Sequence, residues 1–269
     1  MFRPRESHDL RLLSSQLTIT PLPTRIHWVH DVFDNSLAIA AFEGSVTDLR
    51  FDSTVTLEHV ETALPDYPLE EYARTYPFCY AQDELPDLAR GLSQRDSNGE
   101  VAAWARQFLD ASGTMDTINL LRSMTVAVKE GFAYQRRNEK GIQSASETLQ
   151  RRRGSCRDFA LLMMQAVRSL GFAARAVSGY IFVPNVAPAG AAGGGATHAW
   201  LQVYLPGAGW IDLDPTNNIV GNRNLIRVAV AWDPEQVLPL WGTFNGPASA
   251  FLGMDISVSV TEEARLPPA

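Results

Sequence analysis

Three positions far apart in the chain carry the side-chain types that nucleophilic catalysis at a carbonyl needs: Cys156, His198, and an aspartate at 212 or 214. Cys156 lies in Arg153-Gly154-Ser155-Cys156-Arg157-Asp158, where Gly154 and Ser155 give a loop-to-helix entry. The thiol is thereby expected in the first turn of a helix, where unpaired backbone N–H groups and the positive end of the helix dipole favour a thiolate. The same N–H groups could face an oxyanion formed by attack at a carbonyl. Taken alone, the segment reads equally as a small buried hydrophobe, the common fate of free cysteine, beside a solvated basic turn.

His198 stands in Thr197-His198-Ala199-Trp200, after a Gly- and Ala-rich segment, Ala189 to Ala196, expected to be a mobile loop. The histidine thus opens a strand where a side chain can meet substrate. An imidazole there can take the proton of a thiol and later return it to a leaving group. A lone histidine would otherwise read as structural. The acid follows in Gly209-Trp210-Ile211-Asp212-Leu213-Asp214-Pro215-Thr216-Asn217. Turn residues Pro206 to Gly209 make this strand the hairpin neighbour of the one holding His198. A carboxylate at its far end would fix the imidazole tautomer and stabilise the imidazolium. Strict alternation puts Asp212 and Asp214 on one face, and spacing alone does not choose between them. Either aspartate, by itself, reads as a strand-end turn residue. The order of the three pieces is what makes the signal specific.

The elements that must position these residues are also visible. Segments Asp9 to Thr20, Thr24 to Val32, Leu37 to Phe42 and Val46 to Val60 have strand character, with turn chemistry at Asn35-Ser36 and Glu43-Gly44. Leu64 to Pro68 and Tyr76-Pro77 break the pattern and read as a connector. Helices are expected after Ser97-Asn98-Gly99-Glu100, with Phe108 and Leu109 continuing the apolar face, and over Thr114 to Glu130, closed by Gly131. A third, from Cys156 to Gly171, is apolar on nearly every side and therefore central. Strands are expected again over Ala173 to Val183, Thr197 to Leu205, Trp210 to Leu213, Leu225 to Trp232 and Met254 to Val260. Helices followed by strands argue for α+β, with an antiparallel sheet against the helix that begins at Cys156.

Composition bounds the rest. The chain has 269 residues, 45% hydrophobic and 20% charged, with a net charge of −7, against the basic excess that general nucleic-acid binding requires. Two cysteines, Cys79 and Cys156, do not make a stapled secreted scaffold. Neither a signal peptide nor an apolar run of membrane-spanning length is visible, so a cytoplasmic protein without membrane contact is expected. His27 and His30 would point to opposite faces of a strand and not converge on one metal ion. No phosphate-binding glycine motif is present. Trp104, Trp200, Trp210, Trp232 and Trp241 read as core.

The stretches Gly154 to Ala160, Gly171 to Tyr180, Thr197 to Trp200 and Gly209 to Asn217 together resemble the bacterial transglutaminase-like family, within the papain-like cysteine protease superfamily. His8 to Leu13 and Trp28 to Asn35 resemble the β-rich region that precedes its core in bacterial members. The resemblance covers nearly the whole chain. It implies a papain-like α+β core over 81–269, preceded by a β-rich domain and connector over 1–80. It also implies Cys156 as nucleophile, His198 as general base and Asp214 as the orienting carboxylate. The reaction it implies is acyl transfer on peptide or protein amides through a cysteine thioester, resolved by an amine acceptor or by water, without cofactor or metal. Hydrolysis alone and a non-catalytic peptide-binding module are the alternatives; a hydrolase using Ser155 is disfavoured because that serine would face differently on the helix. Two departures stand out. A strand that usually precedes something like Phe2 to Arg5 is missing, leaving a sheet edge. The run Ala187 to Gly195 also lacks charges often seen before the histidine. Substrate identity and oligomeric state are not encoded in any motif.

Overall fold

The structure is a computed structural model, described for residues 1–61, 67–94, 99–137, 141–183 and 195–263. Ser97 and Asn98 of the expected helix entry, part of the connector and most of the glycine- and alanine-rich segment lie outside the described residues. Four strands come first: β1 (Leu10–Thr20), β2 (Arg25–His30), β3 (Ser36–Ala41) and β4 (Arg50–His59). They pair antiparallel as β1 with β4 and β2 with β3, the former with a register shift between Leu12 and Ser14.

A mainly helical stretch follows, comprising β5 (Thr75–Tyr76), α1 (Leu85–Leu92), α2 (Glu100–Arg106), β6 (Met115–Asp116), α3 (Thr117–Gly131), β7 (Ala133–Tyr134), α4 (Ala145–Arg151), β8 (Arg153–Gly154) and α5 (Cys156–Ser169). The chain then makes β9 (Ala174–Ile181), β10 (His198–Leu205), β11 (Gly209–Asp214), β12 (Ile219–Val220) and β13 (Leu225–Ala231). These five form one antiparallel sheet in the order β12-β11-β10-β9-β13.

Helix α5 is the hub. Phe159, Leu162, Met163, Met164, Ala166 and Val167 are essentially without exposure, so the helix has no polar face to give to water and must lie between layers. It packs on β10 and β9 on one side and on α2, α3 and α4 on the other. Gly171, at φ +91°, ends it by taking a left-handed turn that side-chain-bearing residues avoid. The central position expected for this helix is the one observed.

Several expectations need correction. Helix α2 stops at Arg106, so Phe108 and Leu109 lie in a turn beyond it. Helix α3 begins three residues later than expected because the Asp116 side chain accepts from the Asn119 N–H and caps it there. Gly131 is its last residue, and the chain leaves through Phe132 in an extended conformation. Met254 to Val260 is no strand: among the described residues it joins no sheet, and its backbone link there is one hydrogen bond from the Val258 N–H to the Gly195 carbonyl at 3.1 Å. Trp241 is 72% exposed and not core.

The N-terminal strands dock on the sheet through polar pairs. The fully buried Asn35 donates from Nδ2 to the Val230 carbonyl (2.7 Å) and accepts from the Val230 N–H (2.9 Å), as a neighbouring strand would. Nearby, Arg227 of β13 lies 3.3 Å from Asp9, which also accepts from Asn222. The ring edge of Phe33 meets Trp232.

Candidate active site

The site is built where the start of α5 meets the starting end of β10. Residues Gly154 and Ser155 lead into the helix, and Cys156 is its first residue. Their geometry is held by Asp158, which is fully buried. Its carboxylate accepts from the Ser155 N–H and Oγ (2.8 Å each), the Gln143 N–H (2.7 Å) and Arg137 Nη1 (2.8 Å). A negative charge in the first turn complements the helix dipole, and here it also clamps the segment that presents the thiol. A side chain at Gly154 would meet the Asp158 Cβ at 2.8 Å, so the close approach requires glycine.

On the sheet, Leu201 of β10 lies opposite Leu213 of β11. In this register Asp214 sits diagonally across from His198, and Asp212 diagonally across from Trp200. The choice that spacing left open is thereby made. His198 Nε2 and Asp214 Oδ2 are 2.7 Å apart, both side chains completely buried. Asp212 Oδ1 instead accepts from the Trp200 indole N–H at 2.6 Å. The Trp200 ring, itself buried, stacks on the imidazole with centroids 5.8 Å apart.

Two further groups hold the carboxylate. Asp214 Oδ1 accepts from the Thr216 N–H (2.9 Å), and Oδ2 accepts from Asn217 Nδ2 (2.7 Å), which also lies 3.3 Å from His198 Nε2. Asn217 had no role assigned from the sequence. The turn after β11 brings it back over the histidine, with Asn218 in a left-handed conformation at φ +57°. The ammonium of Lys129, on α3, donates to the Thr216 carbonyl at 2.9 Å and pins that turn.

The remaining ring nitrogen, Nδ1, is buried without a hydrogen bond of ordinary geometry. The Cys156 side chain interacts with the same imidazole. Burial raises the thiol, but pairing with His198, the imidazolium charge and the Ala199 N–H outweigh it, leaving Cys156 below its ordinary value. For His198 burial works downward, yet the charge and hydrogen bond of Asp214, together with Cys156, push it up to about 10. Burial would raise Asp214 too, but the imidazolium, Asn217 and Thr216 hold it below the usual carboxylate range. Burial lifts Asp212, with Arg227 and Trp200 offsetting only part of that. Both shifts run toward a thiolate beside an imidazolium.

Structure thus brings Cys156, His198 and Asp214 to one place and leaves Asp212 as support for Trp200. Cys79, the other thiol, is exposed and free. The described residues include no group of three or more metal-ligating side chains and no helix long and apolar enough to cross a membrane. His30 is engaged by Asp34 at 2.8 Å.

Comparison with known proteins gives matches of three kinds. Residues 102–215 match the model of the transglutaminase-like superfamily, and residues 1–58 that of the bacterial transglutaminase-like N-terminal region. An uncharacterised protein of Mycobacterium leprae is 36% identical over 125 residues, 46% of this chain and 43% of that protein. The chain thus spans less than half the length of that relative. An uncharacterised protein of Mycobacterium tuberculosis is 27% identical over 96% of this chain and 84% of its own length. Among solved structures, a candidate cysteine protease from Cytophaga hutchinsonii has a similar fold, with a TM-score of 0.65 at 20% identity over 87% of this chain and 75% of that one.

Proposed function

We propose that this chain, whose residues 102–215 match the transglutaminase-like superfamily and whose residues 1–58 match the bacterial transglutaminase-like N-terminal region, is an enzyme performing thiol-dependent acyl transfer on peptide or protein amides. One observation carries the reading: a buried His198–Asp214 pair at 2.7 Å whose second ring nitrogen is left for a thiol at a helix N-terminus. A structural histidine has no need of that arrangement.

In the proposed cycle the Cys156 thiolate attacks the amide carbon, and the carbonyl oxygen becomes an oxyanion facing the N–H groups at the start of α5. Collapse breaks the C–N bond as the imidazolium gives its proton to the departing nitrogen, leaving a thioester on Cys156 and a neutral His198. An amine or water then attacks the thioester while His198 takes a proton from it. Collapse of this second oxyanion restores the thiolate and releases the new amide or the acid. Asp214 stays ionised throughout and stabilises the imidazolium. Hydrolysis alone is the second reading, in keeping with the description of the Cytophaga hutchinsonii protein.

The test is competitive labelling with iodoacetamide at neutral pH, read by mass spectrometry. Cys156 is expected to react faster than the exposed Cys79, and His198→Ala to abolish the difference. Equal rates in the unaltered protein would refute the enzyme reading. Glutaminyl peptides incubated with and without a primary amine then separate transfer from hydrolysis.

A further inference from the structure

Beside the catalytic relay lies a cleft of about 530 Å³ between α3, the end of β9 and the edge strand β12. Asn217, which bonds Asp214, forms part of its wall, so the cleft adjoins the relay directly. Its chemistry departs from that of the chain as a whole. The protein carries a net charge of −7, yet the described residues lining this cleft include two arginines, Arg122 and Arg223, and no acid.

Between the arginines the lining is apolar, with Val126, Ile181, Val183 and Ile219, and side-chain amides of three asparagines are interspersed. Arg122 is exposed on α3, one turn from Val126 and two from Lys129 on the same face. Arg122 has no ion pair among the described residues. Arg223 is 74% exposed and has Glu61 at 3.9 Å, a distance that leaves its charge largely available to a ligand. The outer edge of β12 has no strand partner among the described residues, and an unpaired edge is where an extended chain adds by backbone hydrogen bonds.

We propose that this cleft is the subsite for an acidic, extended peptide segment flanking the reacting amide. Carboxylates of the segment meet Arg122 and Arg223, the amides of Asn218 and Asn224 serve its backbone, and apolar side chains fill the floor. The assignment rests on the acyl-transfer reading above, but it concerns binding and can be tested without turnover.

The experiment uses full-length protein with Cys156→Ala and three dye-labelled, blocked pentapeptides with glutamine at the centre, flanked on both sides by glutamate, alanine or lysine. Fluorescence anisotropy at low salt is expected to show the glutamate peptide binding about tenfold more tightly than the lysine peptide. Combining Arg122→Glu with Arg223→Glu, both on exposed side chains that the fold does not need, should reverse that order. Equal binding of the three peptides, or an order that charge reversal leaves unchanged, overturns the proposal. The active protein is run in parallel. Glutamate preference without acylation of Cys156 leaves the subsite standing and refutes the enzyme reading; acylation without any charge preference does the opposite.

Discussion

The two nitrogens of the His198 ring have separate tasks, and the pH behaviour follows from that division. Nε2 is held by Asp214, whose carboxylate Asn217 also bonds, which leaves Nδ1 to exchange a proton with sulfur in the proposed reaction. The reactive ion pair exists above the titration of Cys156, which lies below its ordinary 9.0, and below that of His198 near 10. We predict that the iodoacetamide rate constant of Cys156 rises with pH through the first titration and that kcat/KM falls again near pH 10. In stability the raised His198 contributes in full below about 6.5 and loses that contribution as pH rises through about 10. A second prediction separates the two aspartates. Asp214→Asn removes the charge that holds the imidazolium, so the alkaline limb should move to lower pH and kcat should fall by about 10³–10⁴-fold. Asp212→Asn keeps an acceptor for the Trp200 indole and should cost less than about tenfold. Spacing alone could not make this distinction, because positions two apart share a strand face; the family resemblance pointed to Asp214. Register decides it, through the Leu201–Leu213 pair. Asn217 was hidden for a related reason: its place over His198 depends on how the chain turns after β11.

At the level of elements, the tightest packing in the site lies behind the histidine. Gly179 of β9 pairs with His198 of β10, and a Cβ there would stand 2.1 Å from the Ile226 carbonyl oxygen and 2.7 Å from the Trp200 ring. Gly179→Ala should therefore force β13 and Trp200 apart, costing about 3 kcal/mol in urea unfolding. Activity per folded molecule should fall with it, since Trp200 stacks on the imidazole. Unchanged unfolding midpoints would show that the strands have room to give. The long elements were readable from pattern: α5 from its unbroken apolar run and its Gly-Ser entry, β9 to β11 from alternation and the Pro206 to Gly209 turn. Shorter ones were missed. Helix α4 spans only Ala145–Arg151, too little for periodicity to register. The capping pair Ser144 and Glu147 was present as a signal. Met254 to Val260 shows the reverse error, since alternation alone makes no strand without a partner strand's backbone hydrogen bonds.

For the molecule as a whole, the N-terminal strands act as a cover on one edge of the central sheet. Asn35 satisfies both backbone groups of Val230, and the Arg5 N–H donates to the Arg227 carbonyl at 3.3 Å. Asn35→Ala would leave the Val230 N–H and carbonyl unpaired in a dry interface. We predict a loss of about 2–4 kcal/mol in chemical denaturation, with the iodoacetamide rate of Cys156 nearly unaltered in the folded fraction. The opposite edge, β12, lacks such a cover among the described residues, and there the arginine-lined cleft opens. One more property follows from which layer supplies each member of the relay. His198, Asp214 and Asn217 all ride on the sheet and the turn that continues it, while Cys156 alone rides on the helix. A small sliding of α5 along β10 would therefore lengthen the sulfur-to-nitrogen gap and leave the nitrogen-to-oxygen distance as it is.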